Sequence, residues 1–318
     1  MSDNPAVAIS DLRKQYRENH VLNGVDLTIE HGEVFALLGP NGAGKTTTVE
    51  ILGGFRRPTS GTVRVLGEDP AAAGARWRSR VGHVRQDTAS FHDLTVRELV
   101  SHFATFYPNR RPADQVIAMV GLSEKSKTRA AELSGGQQRR LDIALGVVGR
   151  PELLLLDEPT TGLDPKARHQ IWDLIRGLAA SGTTILLTTH YMEEVEVLAD
   201  RVAMLSRGTV GEIATPAQLG GRAREQARIA FRPPARPMRT PLPPRFGSAE
   251  VLLDGNGRVE LNTATPTATL ELLLTWARTN GLEELADLTV SRKSLEDIYL
   301  DLVADPAAPA STAAKEEP

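Results

Sequence analysis

Eight consecutive residues, Gly39, Pro40, Asn41, Gly42, Ala43, Gly44, Lys45 and Thr46, constrain this chain more than any other stretch. Their spacing is that of a phosphate-binding loop, in which successive backbone N–H groups turn inward on one anion. A Cβ at the glycine positions would collide with the phosphate or strain the turn. Such a loop needs a strand before it and a helix after it, because the helix N-terminus supplies part of the field that holds the anion. The apolar run 34–38 reads as that strand and 45–53 as that helix. Lys45 is placed to tether the β- and γ-phosphates, and the Thr46 hydroxyl to ligate Mg²⁺. The chain is therefore expected to hold a nucleoside triphosphate.

The length of 318 residues allows two domains, each with its own core. A hydrophobic content of 41% and a charged content of 24% are ordinary for a soluble globular chain. The net charge of −3 gives no global reason to expect a nucleic-acid partner. The absence of cysteine excludes disulfides, thiolate zinc sites and cysteine nucleophiles. The first residues, Met1 to Pro5, lack the basic-then-apolar pattern of a secretory signal. No apolar run approaches the ~20 residues that a membrane span requires. A cytoplasmic chain is expected, one that reaches a membrane only through another polypeptide.

Residues 1–218 alternate strand-like and helical stretches, the pattern of a layered α/β domain. The segments 7–10, 25–29 and 62–66 alternate apolar and polar residues, which predicts a half-exposed antiparallel sheet. The runs 153–156, 184–188 and 202–205 are continuously apolar, as buried parallel strands are. Residues 85–150 read as helical, with amphipathic stretches over 96–106 and 137–148. Between Arg222 and Arg245 the chain then packs seven arginines and six prolines. That density predicts a solvated basic linker over 219–248, with one short strand near 227–231. A small α+β domain is expected over 249–305: strands near 249–253, 259–262 and 286–290, and helices over 268–279 and 295–303. The last helix opens at Ser294 with Asp297 at capping-box spacing, and the tail 306–318 reads as disordered.

A phosphate loop needs a second carboxylate for its metal. The strand 153–156 ends in Asp157 and Glu158. Asp157 is placed to hold Mg²⁺, usually through water, and Glu158 to orient and deprotonate the water that attacks the γ-phosphate. Upstream lie Leu133, Ser134, Gly135, Gly136 and Gln137. Alone, these residues make a good helix N-cap. They also form a second anion cradle, from the Ser134 hydroxyl, glycine N–H groups and a helix dipole. One nucleotide cannot easily use both cradles of one chain, whereas two chains placed head to tail could sandwich it.

The order of 39–46, Gln86, 133–137, Asp157–Glu158, Leu163–Asp164 and His190 resembles the ATP-binding cassette of ABC transporters, over roughly residues 5–215. The resemblance implies a P-loop NTPase fold with a mainly parallel sheet, an antiparallel β-subdomain and a helical subdomain around 90–150. It also implies ATP and Mg²⁺ as ligands, and a homodimer in which residues 133–137 of one copy close on the nucleotide of the other. Tyr16 matches the aromatic that stacks on adenine, and Thr47 extends the phosphate loop. Gln86 matches the glutamine that senses Mg²⁺ and the attacking water. Asp164 matches the acid that reaches across the dimer, and His190 the switch histidine at the γ-phosphate. His83 and Arg85 stand where tyrosine and proline are common in the family.

The ending from Ser294 to Leu302, with Leu-Glu-Asp-Ile-Tyr-Leu, resembles the terminus of cassettes paired with ABC-2 type permeases, the daunorubicin/doxorubicin resistance ATPases among them. That resemblance implies an ATPase on the inner face of the cell membrane. It would power a separate permease that exports a drug, lipid or other hydrophobic compound. An importer cassette is the alternative within transporters. Non-transport members that act on DNA or ribosomes fit less well, because the chain has one phosphate loop, one 133–137 segment, no long coiled coil and no zinc cysteines.

Overall fold

The computed structural model describes residues 4–86, 93–219, 227–233, 240–253 and 257–291. It forms two compact units, one ending at Pro216 and one beginning at Ala217. In the first, β1 (Val7–Tyr16) and β2 (Asn19–Ile29) make an antiparallel hairpin that turns at Arg17, with φ at 53°. β3 (Val34–Leu38) is buried along its whole length and runs through the glycine loop into α1 (Lys45–Leu52). β4 (Ser60–Val65) returns beside β1, so the small sheet has the order β2-β1-β4. In α2 (Ala75–Arg78) the buried Trp77 donates its indole N–H to the Val65 carbonyl at 2.8 Å.

β5 (Val81–Val84) opens the main sheet, and the helical layer follows: α3 (Val96–Ala104), α4 (Ala113–Met119) and α5 (Gly135–Val147). β6 (Leu153–Asp157), α6 (Pro165–Ala180), β7 (Thr184–Thr189), α7 (Met192–Leu198), β8 (Arg201–Ser206) and β9 (Thr209–Ala214) complete the unit. Local chemistry sets the helix starts. Thr95 and Glu98 form a capping box at α3, Ser134 and Gln137 form another at α5, and Asp164 caps α6 with Pro165 at its first position.

The main sheet has the order β5-β6-β7-β3-β8-β9, parallel except for β9. β3, β6 and β7 are neighbours in its middle and wholly buried, which is why they are written in Leu, Ile, Val and Phe without alternation. Their register places Asp157 opposite Thr188 and Leu38 opposite Thr189. The C-terminal ends of three adjacent strands therefore converge, and this is where an open α/β sheet binds its ligands. One apolar core, including Leu22, Phe35, Val49, Leu155 and Leu205, joins the two sheets.

The second unit has a five-stranded antiparallel sheet formed by β10 (Ala227–Arg232), β11 (Arg245–Phe246), β12 (Ala249–Leu253), β13 (Val259–Thr263) and β14 (Ala286–Ser291). Its order is β11-β12-β13-β10-β14. α8 (Pro266–Thr279) packs Leu273 and Trp276 on Ile229, Phe231 and Leu261, and the Trp276 indole donates to the Pro241 carbonyl at 3.3 Å.

Two expectations need correction. The strand near 227–231 does not sit in a linker. As β10 it lies between β13 and β14, with Ile229 and Phe231 fully buried, so the strand belongs to the sheet of the second unit. Two of its arginines are paired rather than free in solvent: Arg228 with Glu260, and Arg232 with Asp287 at 3.3 Å. Secondly, α5 is not cleanly amphipathic, because Arg139 is buried on its apolar face with Ile143 and Val147. The helix expected over 295–303 and the tail 306–318 lie outside the described residues. Among the described residues no helix is long and apolar enough to cross a membrane.

Candidate nucleotide site

The phosphate loop is built as its sequence requires. Gly42 and Gly44 take left-handed φ values of 81° and 109°, which only glycine adopts without strain. At Gly39 the need is space, because a Cβ there would lie 2.2 Å from the Leu205 carbonyl oxygen. The loop opens onto a cavity of about 470 Å³ lined by Asn41, Gly42, Gly44, Lys45, Thr46 and Thr47, and by Gln86 and Glu158 from other segments. Asn19 and Val21 of β2 also line it, and neither was identified from sequence. They arrive because β2 runs past the loop, where a Cβ on Gly44 would meet Leu22 Cδ2 at 2.6 Å.

Lys45 is buried and donates to the carbonyls of Gly39 at 2.8 Å and Pro40 at 3.2 Å. Its third partner is Glu158 Oε1 at 3.2 Å. Glu158 holds a left-handed φ of 46°, an uncommon conformation for a non-glycine residue that turns its side chain back toward the loop. Its Oε2 accepts from Thr161 Oγ1 at 3.0 Å and Gln86 Nε2 at 3.4 Å. His190, following β7, brings Nδ1 to 3.4 Å from Glu158 Oε1, and that buried nitrogen has no hydrogen-bond partner among the described residues. Burial works to raise the Glu158 pKa, but Lys45, Thr161 and His190 together outweigh it and hold the acid below its ordinary value. Glu158 is therefore a carboxylate at neutral pH.

Asp157 lies one residue back at the strand end, where Thr188 Oγ1 donates to its Oδ1 at 2.5 Å and Glu158 N donates to Thr188 Oγ1 at 3.0 Å. A single threonine of β7 thus fixes both acids. Asp157 does not line the cavity itself.

Arg139, which no sequence motif marks, is buried behind the acid pair. Its Nη2 donates to the carbonyls of Asp157 at 2.7 Å and Glu158 at 3.1 Å, its Nε to Pro159 at 2.9 Å and its Nη1 to Arg85 at 2.5 Å. One guanidinium thus ties α5, the acid pair and the residue before Gln86. The unusual Arg85 costs nothing here, because the contact uses its carbonyl, which proline also has.

Leu133, Ser134, Gly135, Gly136 and Gln137 form the start of α5, with Ser134 Oγ accepting from Gln137 N at 3.4 Å. Among the described residues no hydrogen bond or ion pair joins this segment to the phosphate loop of its own chain. A Cβ on Gly136 would meet Ala167 Cβ at 2.8 Å, and Ala167 N in turn donates to Asp164 Oδ1 at 2.9 Å. Residues 133–137 and Asp164 are thus one packed surface. Tyr16 lies outside the cavity lining. It pairs across the hairpin with Asn19, and Lys14 Nζ and the Arg56 guanidinium lie 4.9 and 5.2 Å from its ring centroid.

A phosphate loop at the end of a central parallel strand, with two consecutive acids at the end of β6, one strand removed in the same sheet, defines a P-loop nucleoside triphosphatase. Residues 22–161 match the ABC transporter family, and residues 227–294 match the ABC transporter domain-containing protein-like C-terminal domain. The Nod factor export ATP-binding protein I of Paraburkholderia xenovorans is 43% identical over 208 residues, 64% of this chain and 68% of that protein. Its Ralstonia nicotianae counterpart is 42% identical over 209 residues, 64% and 65% of the two chains. The daunorubicin resistance ATP-binding protein DrrA3 of Streptomyces coeruleorubidus is 39% identical over 210 residues, 64% and 66%. The chain thus spans about two thirds of the length of these relatives. A solved ATP-binding subunit of an ABC transporter superposes with a TM-score of 0.61 at 28% identity, covering 68% of this chain and 94% of that one. A dimeric cassette, MJ0796 in a post-hydrolysis state with ADP and Pi, superposes with a TM-score of 0.60 at 26% identity, covering 66% and 98%. The chain belongs to the ABC transporter family and is an ATP-binding cassette of it, an ATPase by class.

Proposed function

We propose that this chain hydrolyses ATP to power a separate ABC-2 type membrane permease that exports a drug, lipid or other hydrophobic compound. The observation that carries the reading is the meeting of Lys45, Gln86, His190 and Thr161 on one ionised carboxylate, Glu158, at the mouth of the phosphate loop. The relatives named for Nod factor export and daunorubicin resistance support the export direction.

The triphosphate lies along residues 39–47, held by backbone N–H groups and by Lys45, with Tyr16 at the adenine. Glu158 accepts the proton side of the attacking water and so aligns it with the γ-phosphate. Gln86 steadies that water from the opposite side of the carboxylate. His190, held beside Glu158 through Nδ1, donates to a γ-phosphate oxygen. The donor set fits Mg²⁺: Thr46, Asp157 and Gln86 offer a few hard oxygens and leave the remaining positions to phosphate and water. That is how this ion binds beside phosphates. When bound, Mg²⁺ neutralises charge on the β- and γ-phosphates.

Residues 133–137 and Asp164 make no hydrogen bond or ion pair with the phosphate loop of their own chain among the described residues, and a second copy of the chain completes the site with them. ATP then holds two copies together and its hydrolysis releases them, a cycle that a permease can use. The chain works at the inner face of the cell membrane and takes no nucleic-acid partner. Reconstitution with ABC-2 type permeases tests this. ATP-dependent movement of a hydrophobic dye out of the cytoplasmic compartment is expected, and ATPase activity indifferent to every such permease contradicts it.

A further inference from the structure

A second cavity, of about 710 Å³, lies in the first unit between the helical layer and α6 and shares no lining residue with the nucleotide cavity. Three arginines reach it from separate segments: Arg111 ahead of α4, Arg140 on α5 and Arg150 beyond α5. The Val147 carbonyl gathers two of them, accepting from Arg111 Nη1 at 2.6 Å and from the Arg150 backbone N–H at 3.1 Å. The Arg111 backbone N–H is fixed as well, donating to the Val148 carbonyl at 2.8 Å. Arg140 is braced across the cleft by its Nη1 hydrogen bond to the Gln170 side chain of α6, and its Nε is buried without a partner among the described residues. Burial, and then the nearby Arg150, lower the Arg111 pKa, so like charges crowd this site. Asp173, which also lines it, is engaged with Arg176 at 3.2 Å. Leu174 and Leu178 of α6 add an apolar wall.

We propose that this cleft binds a phosphate-bearing compound, its phosphate held by Arg111, Arg140 and Arg150 and its apolar part laid on Leu174 and Leu178. The guanidinium fork matches phosphate oxygens two at a time, and hydrogen bonds to the Val147 carbonyl and the Gln170 side chain set the Arg111 and Arg140 forks in place before the ligand arrives. The volume is that of a small-molecule site. The position gives the ligand a consequence. Arg140 belongs to the helix capped by Ser134, and Gln170 to the helix capped by Asp164, so an occupant bridges the two helices whose starts form one packed surface. Its binding is coupled to closure on ATP, and ATP in turn tightens its binding by the same factor.

The test uses the full chain saturated with a non-hydrolysable ATP analogue and Mg²⁺, so that the phosphate loop is filled. Calorimetric titration with inorganic pyrophosphate is expected to show one further site. The Arg111→Ala/Arg150→Ala pair weakens it by about tenfold or more, the effect of losing one charge-assisted hydrogen bond, with analogue affinity kept as the check on folding. On the unsubstituted protein, pyrophosphate protects Arg111 and Arg150 from phenylglyoxal, read by mass spectrometry. Co-sedimentation with phosphatidic acid vesicles but not phosphatidylcholine vesicles, lost in the double variant, assigns the phosphate to a lipid; protection by pyrophosphate without vesicle binding assigns it to a soluble compound. Absence of protection, or a double variant that binds pyrophosphate as the unsubstituted chain does, overturns the proposal while leaving the ATPase reading intact.

Discussion

Lys45 Nζ lies 3.2 Å from Glu158 Oε1, with both side chains nearly inaccessible to solvent. The residue expected to bind phosphate and the residue expected to align water are each other's counter-ion. The ammonium has three N–H donors, two of them committed to the Gly39 and Pro40 carbonyls. Phosphate therefore competes with Glu158 for the third, and winning that competition frees the carboxylate to receive water.

Glu158→Gln keeps the shape of the side chain and removes its charge. Lys45 loses a competing anion, so ATP affinity is expected to be retained or to rise, while turnover falls by about 10²–10⁴-fold. Equilibrium binding of a fluorescent ATP analogue beside a steady-state phosphate-release assay checks both. Wild-type turnover would remove Glu158 from the chemistry.

Arg139 serves four carbonyls of two segments, Arg85 and residues 157–159. Arg139→Ala removes the guanidinium donor from the buried carbonyls of Asp157 and Pro159, which costs about 2–4 kcal/mol of stability. Arg139→Lys restores the charge without the fork and is expected to recover stability further than it recovers kcat. Denaturant midpoints compared with kcat and KM make the check. Equal recovery of both quantities would mean that Arg139 only packs the helix.

His83 is inserted in β5 against the Phe55 ring, at a centroid distance of 4.9 Å. Burial, against an opposing pull from Asp157, pushes its pKa from 6.5 down to about 4. The unfolded chain therefore binds a proton between those values that the folded chain refuses. Stability is full above the unfolded pKa and falls as pH drops from about 6.5 to 4, by at most about 3 kcal/mol. His83→Gln is expected to flatten this part of the curve of unfolding free energy against pH. An unchanged slope would place the titration on another group.

What the sequence disclosed was local, and what it concealed was assembled over distance. The phosphate loop and the Asp157–Glu158 pair are consecutive residues whose chemistry depends on their spacing, and the cap at Ser134 is set by the neighbouring Gln137. Arg139 was hidden because it bonds carbonyls far along the chain, which carry no side-chain signal. Its one trace was its place four residues before Ile143 and eight before Val147, a cation on an apolar stripe. The strand at 227–231 is legible in sequence, but the dense arginines and prolines around it conceal that burial of Ile229 and Phe231 makes it an interior strand of the second unit's sheet. Asn19 and Val21 reach the site only because the β1–β2 hairpin runs past Gly44.

The account rests on a nucleotide held between two unlike surfaces of two copies. Mixing a Lys45→Ala chain with a Ser134→Arg chain tests this directly, since each alone spoils both sites of its own dimer. The mixed dimer carries one intact site, built from the phosphate loop of one copy and residues 133–137 of the other. ATPase activity of the mixture well above the sum of the two separate variants is the predicted result. Activity no greater than that sum, or a Ser134→Arg chain that hydrolyses ATP as fast as the unsubstituted protein, would contradict it.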